Sequence, residues 1–316
     1  MDALVTRPAG GSRPAALREL LGRLRGLDYD FVTPTPSTHA LVRERRTAQR
    51  ETVLRDVFGW SRPFAPDLLA PDLLHLLERA DVVRSSADGL QLDVRVSVLD
   101  GRLFLHSAPG PDRDAVFLGP DSYRFARFLR QALEDHATPG AALDIGVGAG
   151  VGAATVAAAC PGARVMATDV NPRALELARI NLAHAALAVE LVEASGLPPG
   201  PERFDLIVAN PPYIAGGGGR TYRDGGDQLG AALALEWVRA GIERLAPGGR
   251  FLLYTGSAIV DGRDGVRAAL AELAEARGAA LDYDEIDPDV FGGMLRSEAY
   301  RDAERIAAVG AVLTAP

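Results

Sequence analysis

Hydrophobic and polar positions follow different periods in different parts of the chain. Apolar residues recur at helical spacing over 13–21 and 40–58, and a third helix is predicted over 67–79. Strict alternation follows over 90–98 and resumes over 103–105, which predicts a β-hairpin. The first part of the chain is therefore predicted to contain helices followed by a hairpin.

From residue 116 onward, short apolar strands alternate with helical segments. The strands are predicted at 141–144, 164–169, 189–192, 205–209 and 250–254, with helices such as 172–183 and 229–246 between them. This order is typical of an α/β fold with a doubly wound, Rossmann-like parallel sheet. We predict an N-terminal helical and hairpin domain over 1–115 and a catalytic domain over 116–316.

Composition narrows the class of protein. The chain has 316 residues, 47% of them hydrophobic, which is ample for a large core. It has no apolar run of about 18 residues and no signal-peptide pattern at its start, so we expect a cytoplasmic protein without a membrane partner. A single cysteine, Cys160, excludes an intramolecular disulfide and a multi-cysteine zinc site. The five histidines show no paired ligand spacing, so no metal is predicted.

The charged residues exclude further classes of protein. All 34 basic residues are arginine, which rules out a lysine Schiff base and a P-loop lysine. Residues 1–115 are neutral and residues 116–316 carry a net charge of −8, which argues against a nucleic-acid partner. The helices and hairpin resemble a winged helix. Without a basic face, we favour a cap that shapes a neighbouring site over a DNA-binding module.

A glycine-rich turn follows the first strand of the second region. Asp144 precedes Gly146, Gly148 and Gly150, and the segment then enters a helix. Glycines let the backbone pass close to a ligand. The spacing lacks the G-x-G-x-x-G of dinucleotide sites, and an acid before the first glycine would repel a pyrophosphate. Asp144 instead suits a ligand that carries an ammonium group.

The next strand ends in a second carboxylate. Asp169, followed by Val170, lies at the predicted tip of that strand, where a carboxylate can accept both hydroxyls of a ribose. The two positions extend the predicted cofactor site across neighbouring strand tips.

The most specific motif follows the fourth strand. Asn210, Pro211, Pro212 and Tyr213 come directly after an apolar run. Prolines restrict the backbone, so the Asn210 side-chain oxygen and the Pro211 carbonyl can accept both hydrogens of one NH₂ group. Tyr213 can stack on a planar acceptor. Two acceptors localise the lone pair of a poorly nucleophilic nitrogen, and alignment then supplies much of the rate.

These motifs together resemble the N-P-P-Y methyltransferases, a class I group that depends on S-adenosylmethionine (SAM). The closest likeness is to the release factor glutamine methyltransferases, including their helical N-terminal domain. The resemblance implies SAM as cofactor, adenine contact at Ser195, and a seven-stranded sheet whose last strand is antiparallel. The segment before the glycine turn lacks the first proline and the glutamic acid typical of that group, so a diverged member with its own substrate is predicted.

The acceptor and the reaction stay open at this point. The leading hypothesis is methyl transfer to an amide or amine nitrogen of a protein or small molecule. The second is cyclisation of SAM itself, which releases methylthioadenosine and forms azetidine-2-carboxylate, and the third is a winged-helix nucleic-acid-binding protein. Phe117, Tyr123 and Tyr222 are candidate aromatic contacts for a sulfonium. The sequence does not indicate an oligomeric state.

Overall fold

The computed structural model describes residues 12–45, 53–110, 112–134, 136–214 and 228–316. The described part of the N-terminal region includes α1 (Arg13–Gly26), α2 (Pro36–Arg45) and α3 (Pro71–Arg79). A π-helical turn covers Arg55–Gly59, at the end of the predicted helix 40–58. The predicted third helix is shorter than expected because Pro71 begins a new helix after a separate 3₁₀ turn, Pro66–Leu68.

The predicted hairpin is two hairpins. Its strands are β1 (Val83–Ser86), β2 (Gly89–Leu92), β3 (Val94–Leu99) and β4 (Arg102–Ser107). β2 pairs with β1, and β3 pairs with β4, both antiparallel. The prediction of a single strand over 90–98 is therefore wrong. Asp93 forms the corner, since its N–H donates to the Val82 carbonyl while its own carbonyl accepts from Ala108.

The second region is an α/β sheet with helices on both faces. Its helices are α4 (Pro120–Leu133), α5 (Val151–Ala159), α6 (Pro172–His184), α7 (Ala232–Ile242) and α8 (Gly265–Arg277). Its strands are β5 (Ala141–Ile145), β6 (Arg164–Asp169), β7 (Glu190–Glu193), β8 (Phe204–Ala209), β9 (Leu245–Val260), β10 (Arg263–Asp264), β11 (Ala280–Asp287) and β12 (Arg305–Thr314).

The strand order confirms the predicted fold class. Seven strands run β11-β12-β9-β8-β5-β6-β7, and β10 pairs with the end of β9. β12 is antiparallel to both of its neighbours, while the other pairs along this path are parallel. The sheet is thus Rossmann-like, with its last strand antiparallel.

Alternation along the strands places the core on both sides of the sheet. Leu143 and Ile145 of β5 pack in a cluster with α7 and α8. Ala142, which precedes Leu143 and faces the opposite side of the sheet, packs in the other cluster with α4, α5 and α6. That second cluster continues into α1, α3 and the β3–β4 hairpin, so one hydrophobic core joins the two regions.

The helix predicted over 229–246 is shorter at both ends. Leu229 and Gly230 have φ of +56° and +90°, which are not helical, and α7 begins at Ala232. At the other end β9 begins at Leu245.

The β3–β4 hairpin of the N-terminal region is buried against α6 of the second region. Asn181 of α6 donates to the Leu105 carbonyl at 2.9 Å and accepts from the Leu105 N–H at 2.8 Å. Its amide also donates to the Ala149 carbonyl at 2.9 Å. A wing must be exposed to reach a nucleic acid, and this hairpin instead anchors the N-terminal region to the sheet. Within the described residues, no helix is long and apolar enough to cross a membrane.

Candidate active site

A cavity of about 1010 Å³ lies at the carboxyl ends of β5, β6 and β8. This edge is where parallel α/β sheets bind ligands, because the chain reverses its winding direction there. Residues from the N-terminal region form the opposite wall, among them Thr33, His39 and Arg95. The cavity is therefore built by both regions.

The glycine turn runs along the cavity between β5 and α5. Gly146, Gly148 and Gly150 have φ of +75°, +51° and +90°, which L side chains rarely adopt. The Gly146 and Val147 N–H groups donate to the Thr168 carbonyl at 2.9 and 2.8 Å, which ties the turn to β6. A Cβ at Gly148 would meet only the Gly146 carbonyl oxygen, at 4.0 Å, so no side chain covers the backbone there.

Asp144 lies at the inner end of the turn and is only 2% exposed. Its Oδ2 accepts from the Ala153 N–H at 2.7 Å, in the first turn of α5. Burial raises the pKa of the Asp144 carboxyl to about 7, and the charge of Asp169 adds to the rise. A cation in the cavity would favour its ionised form.

Asp169 ends β6 with its carboxylate held in one orientation. Oδ2 accepts from the Gly148 N–H and Oδ1 from the Asn171 N–H, each at 2.9 Å. The Val170 N–H also bonds to this carboxylate, which leaves one of its oxygens a second lone pair with which to accept another donor. Val170, 54% exposed, and Ser195 also line the cavity, beyond the tips of β6 and β7.

Asn210, Pro211, Pro212 and Tyr213 follow β8 and all line the same cavity. Within the described part of the chain, the Asn210 side-chain amide has no hydrogen-bond partner. An unoccupied amide at a cavity wall can donate and accept toward a ligand.

Tyr213 is fixed by groups that are distant in sequence. Its hydroxyl bonds to the carboxylate of Asp121 at the start of α4, which also accepts from the Tyr254 hydroxyl at 2.9 Å. A Cβ at Gly256 would lie 2.4 Å from the Tyr213 ring, so only glycine leaves room for it there. The Phe291 ring lies 5.8 Å away, tilted by 56°. Burial raises the pKa of both Tyr213 and Asp121.

The three aromatic candidates are placed differently. Phe117 is half-exposed and lines the cavity. Tyr123 faces the N-terminal region, where its hydroxyl accepts from the Thr33 N–H at 3.1 Å, so its position gives no support to a sulfonium contact. Tyr222 lies outside the described residues.

Two residues of the cavity wall escaped the sequence reasoning. Neither Asp121 nor Trp237 belongs to any of the sequence motifs described above. A Cβ at Gly146 would lie 2.8 Å from the Trp237 ring, which places the indole directly behind the glycine turn. Nothing in the local sequence signals either position. Among the described residues, no group of three or more His, Cys, Asp or Glu is arranged to hold a metal ion.

Comparison with known proteins adds independent findings. The family model described as "Methyltransferase small domain" matches residues 124–258. The release factor glutamine methyltransferase of Cereibacter sphaeroides is 34% identical over 231 residues, which cover 68% of this chain and 76% of that protein. Its counterpart in Deinococcus radiodurans is 50% identical over 72 residues, 23% of this chain and 26% of that protein.

A solved structure shows the fold alone. It is described as a candidate transferase from Pyrococcus horikoshii and is 11% identical, with a TM-score of 0.51. The alignment covers 96% of this chain and 98% of that one.

Proposed function

We propose that this chain, which belongs to the release factor glutamine methyltransferase family of class I SAM-dependent methyltransferases, methylates the side-chain amide nitrogen of a glutamine in a protein. The observation that carries the proposal is the Asn210 amide beside Pro211 on the wall of the large cavity, which has no hydrogen-bond partner among the described residues. An amide acceptor placed against it would have its NH₂ group held by hydrogen bonds.

The cofactor is SAM, which supplies an electrophilic methyl group when bound. We assign the ribose to Asp169, the adenine to Val170 and Ser195, and the ammonium group to Asp144. Support comes from the orientation of Asp169, whose carboxylate keeps a free lone pair, and from Gly148, where a Cβ would meet only the Gly146 carbonyl oxygen, at 4.0 Å. The buried Asp144 carboxylate also fits a cation, since an opposite charge would lower its raised pKa.

Asn210 and the residues after it orient the nucleophile. A glutamine nitrogen shares its lone pair with its carbonyl and is a poor nucleophile. Hydrogen bonds from both of its N–H groups to the Asn210 oxygen and the Pro211 carbonyl oppose that delocalisation. The proton leaves after attack, so no strong base is needed, and positioning carries much of the rate.

Tyr213 forms the platform beneath the amide plane. Its ring is held by Asp121, by the space at Gly256 and by Phe291. A ring fixed from three sides loses little entropy when an acceptor stacks on it.

The other hypotheses from the sequence have less support. SAM cyclisation has no support among the relatives described above, which are named as methyltransferases. A nucleic-acid-binding wing is opposed by the burial of the β3–β4 hairpin against α6.

The test is SAM turnover followed by mass spectrometry in three arms: SAM alone, SAM with purified release factors, and SAM with a protein extract. We expect S-adenosylhomocysteine only when an acceptor protein is present. The acceptor should gain about 14 Da, the mass of one CH₂ group, localised to a glutamine side chain. Asn210→Ala should lower turnover by roughly 10²–10³, the range seen when one preorganised donor or acceptor is removed.

Binding of S-adenosylhomocysteine should survive in Asn210→Ala, which separates chemistry from folding. Gln91→Ala, an amide on the β2 strand outside the cavity, serves as the matched control and should keep full turnover. Methylthioadenosine formed from SAM alone above the spontaneous background, or methylation of residues other than glutamine, would refute the proposal.

A further inference from the structure

The cavity continues past the proposed cofactor site into the N-terminal region, where its wall is positively charged. Arg95 of β3 and Arg43 of α2 both line this end. The chain as a whole has a net charge of −8, so a cationic end of its main cavity is a local feature. Such a charge pattern selects ligands by electrostatic complementarity.

Arg95 is the central residue of this wall. Its side chain is 5% exposed, its Nε–H donates to the Gly59 carbonyl at 2.8 Å, and its guanidinium lies over the Phe31 ring at 5.5 Å. Its Nη2 is buried and has no hydrogen-bond partner in the described residues. Burial lowers the pKa of Arg95 only to about 10, so it remains charged at neutral pH. A buried charge that lacks a full set of partners is costly, and an anion would offset that cost.

Among the described residues, the neighbouring histidines do not compensate the charge of Arg95. His39 donates its Nε2–H to the Trp60 carbonyl at 2.9 Å. Burial, with the charges of Arg95 and Arg43, lowers the pKa of His39 to about 4, so it is neutral at pH 7. Burial likewise lowers the pKa of His106. Glu44, the acid of this wall, is exposed to water at its rim.

A second arginine shows which features matter. Arg244 donates its Nε–H to the Glu202 carbonyl, lies over the Phe204 ring at 6.0 Å and also has a buried Nη2 without a partner. It does not line the cavity and is more exposed than Arg95. An unpartnered nitrogen alone is therefore not a site. Placement in the cavity wall with a second cation is what distinguishes Arg95.

We propose that Arg95 and Arg43 form an anion subsite at the N-terminal end of the cavity, which binds a carboxylate carried by the methyl acceptor. The identity of the acceptor rests on the proposed methyl transfer. The binding of an anion to Arg95 and Arg43 does not depend on that function. The acceptor class is then a glutamine-containing protein segment with an acidic residue or a free carboxyl end near the glutamine.

The first experiment measures binding without any methyl transfer. Glutarate, a simple dicarboxylate, is titrated into the full chain and followed by saturation-transfer NMR and thermal shift. We expect saturable binding that is weakened at least about tenfold in Arg95→Met, the effect of losing one charge-assisted hydrogen bond. Arg244→Met is the matched control and should bind glutarate like the wild type.

A second variant guards against misfolding of Arg95→Met. Arg43→Met alters a partly exposed helix residue, and it should weaken glutarate binding about threefold because solvent screens its charge. Inorganic phosphate is titrated in parallel. Tighter binding of phosphate than glutarate would overturn the carboxylate assignment, and so would glutarate binding that is equal in all variants or absent from the wild type.

The second experiment uses paired glutamine peptides in the methylation assay. One peptide carries glutamates near the glutamine, and its partner has uncharged glutamines at those positions. Wild type should show a KM at least about tenfold lower for the acidic peptide with similar kcat, and Arg95→Met should abolish that difference. If glutarate binding depends on Arg95 but no glutamine peptide is methylated, the proposed methyl transfer is refuted and the anion subsite is not. Methylation that depends on Asn210, without a charge preference, would refute the subsite alone.

Discussion

Asp144 makes cofactor affinity depend on pH in a direction that the structure sets. Its carboxyl is buried at the inner end of the glycine turn, and burial raises its pKa to about 7. If it binds the ammonium group of the cofactor, only the ionised form binds well. Binding then releases a proton, so affinity must rise as pH rises toward and through 7.

The size of the effect follows from that pKa. A carboxyl of pKa about 7 is roughly 9% ionised at pH 6 and roughly 76% ionised at pH 7.5. The affinity should therefore increase about eightfold over this interval, provided that the bound ammonium holds the pKa well below 6 in the complex. The ligand's α-amino group, which titrates at about 7.7–8.0, is about 60–75% protonated at pH 7.5, and this reduces the expected increase in affinity to about five- to sixfold.

The assay is calorimetric titration with S-adenosylhomocysteine, which has the same amino-acid portion as SAM but transfers no methyl group. Asp144→Asn should bind more weakly at pH 7.5 and lose the pH dependence that Asp144 causes. Asp169, whose pKa is also raised by burial, is unchanged in this variant, so it should not restore that dependence. Asp205→Asn is the matched control. That carboxylate accepts from Gly140 and Ala141 at the opposite end of β5 and should not affect the profile.

The same shift has a consequence for the ligand-free protein. A folded pKa above the unfolded value means that the Asp144 contribution to stability is complete below about pH 4 and is lost as pH rises through 7. Asp144→Asn should remove that slope from chemical unfolding measured across the interval. A flat affinity profile in the wild type, or an unchanged profile in Asp144→Asn, would refute the assignment of the ammonium group to Asp144.

Two further substitutions test the platform and the junction of the two regions. Asp121→Asn should lower kcat about tenfold with unchanged S-adenosylhomocysteine affinity, because a weaker partner no longer holds the Tyr213 hydroxyl; equal kcat by steady-state kinetics would contradict this. Asn181→Leu should cost about 3 kcal/mol or more in urea unfolding, because it strips hydrogen bonds from both polar groups of Leu105 and from the Ala149 carbonyl. Gln91→Leu, which removes one hydrogen bond to the Ser61 carbonyl, is its control and should cost about 1 kcal/mol.

Much of the catalytic region was predictable from local pattern. Strand tips carrying Asp144, Asp169 and Asn210 meet at one edge because the carboxyl ends of parallel strands lie side by side. The antiparallel last strand followed from the family resemblance and is confirmed. The roles of these residues toward the cofactor and the acceptor remain predictions that the experiments above test.

Local pattern failed where one residue changes the pairing. Alternation continues without interruption from 90 to 98, yet the chain turns a corner at Asp93 and the two halves join different hairpins. Period-2 patterning records which side chains are buried and carries no information about which strand is the partner.

The sequence by itself determined which candidate site residue lies at the end of which strand, because each of these residues ends or follows an apolar run that must become a buried strand. Only the tertiary structure decided what stands opposite them. Asp121 reaches Tyr213, Trp237 lies behind Gly146, and Arg95 enters the cavity wall through packing between elements far apart in the chain. The place of Arg95 depends on how the N-terminal region sits on α6, and the other two contacts depend on how α4 and α7 pack on the sheet. The hydrophobic burial that drives such packing is non-directional, so no local pattern encodes it.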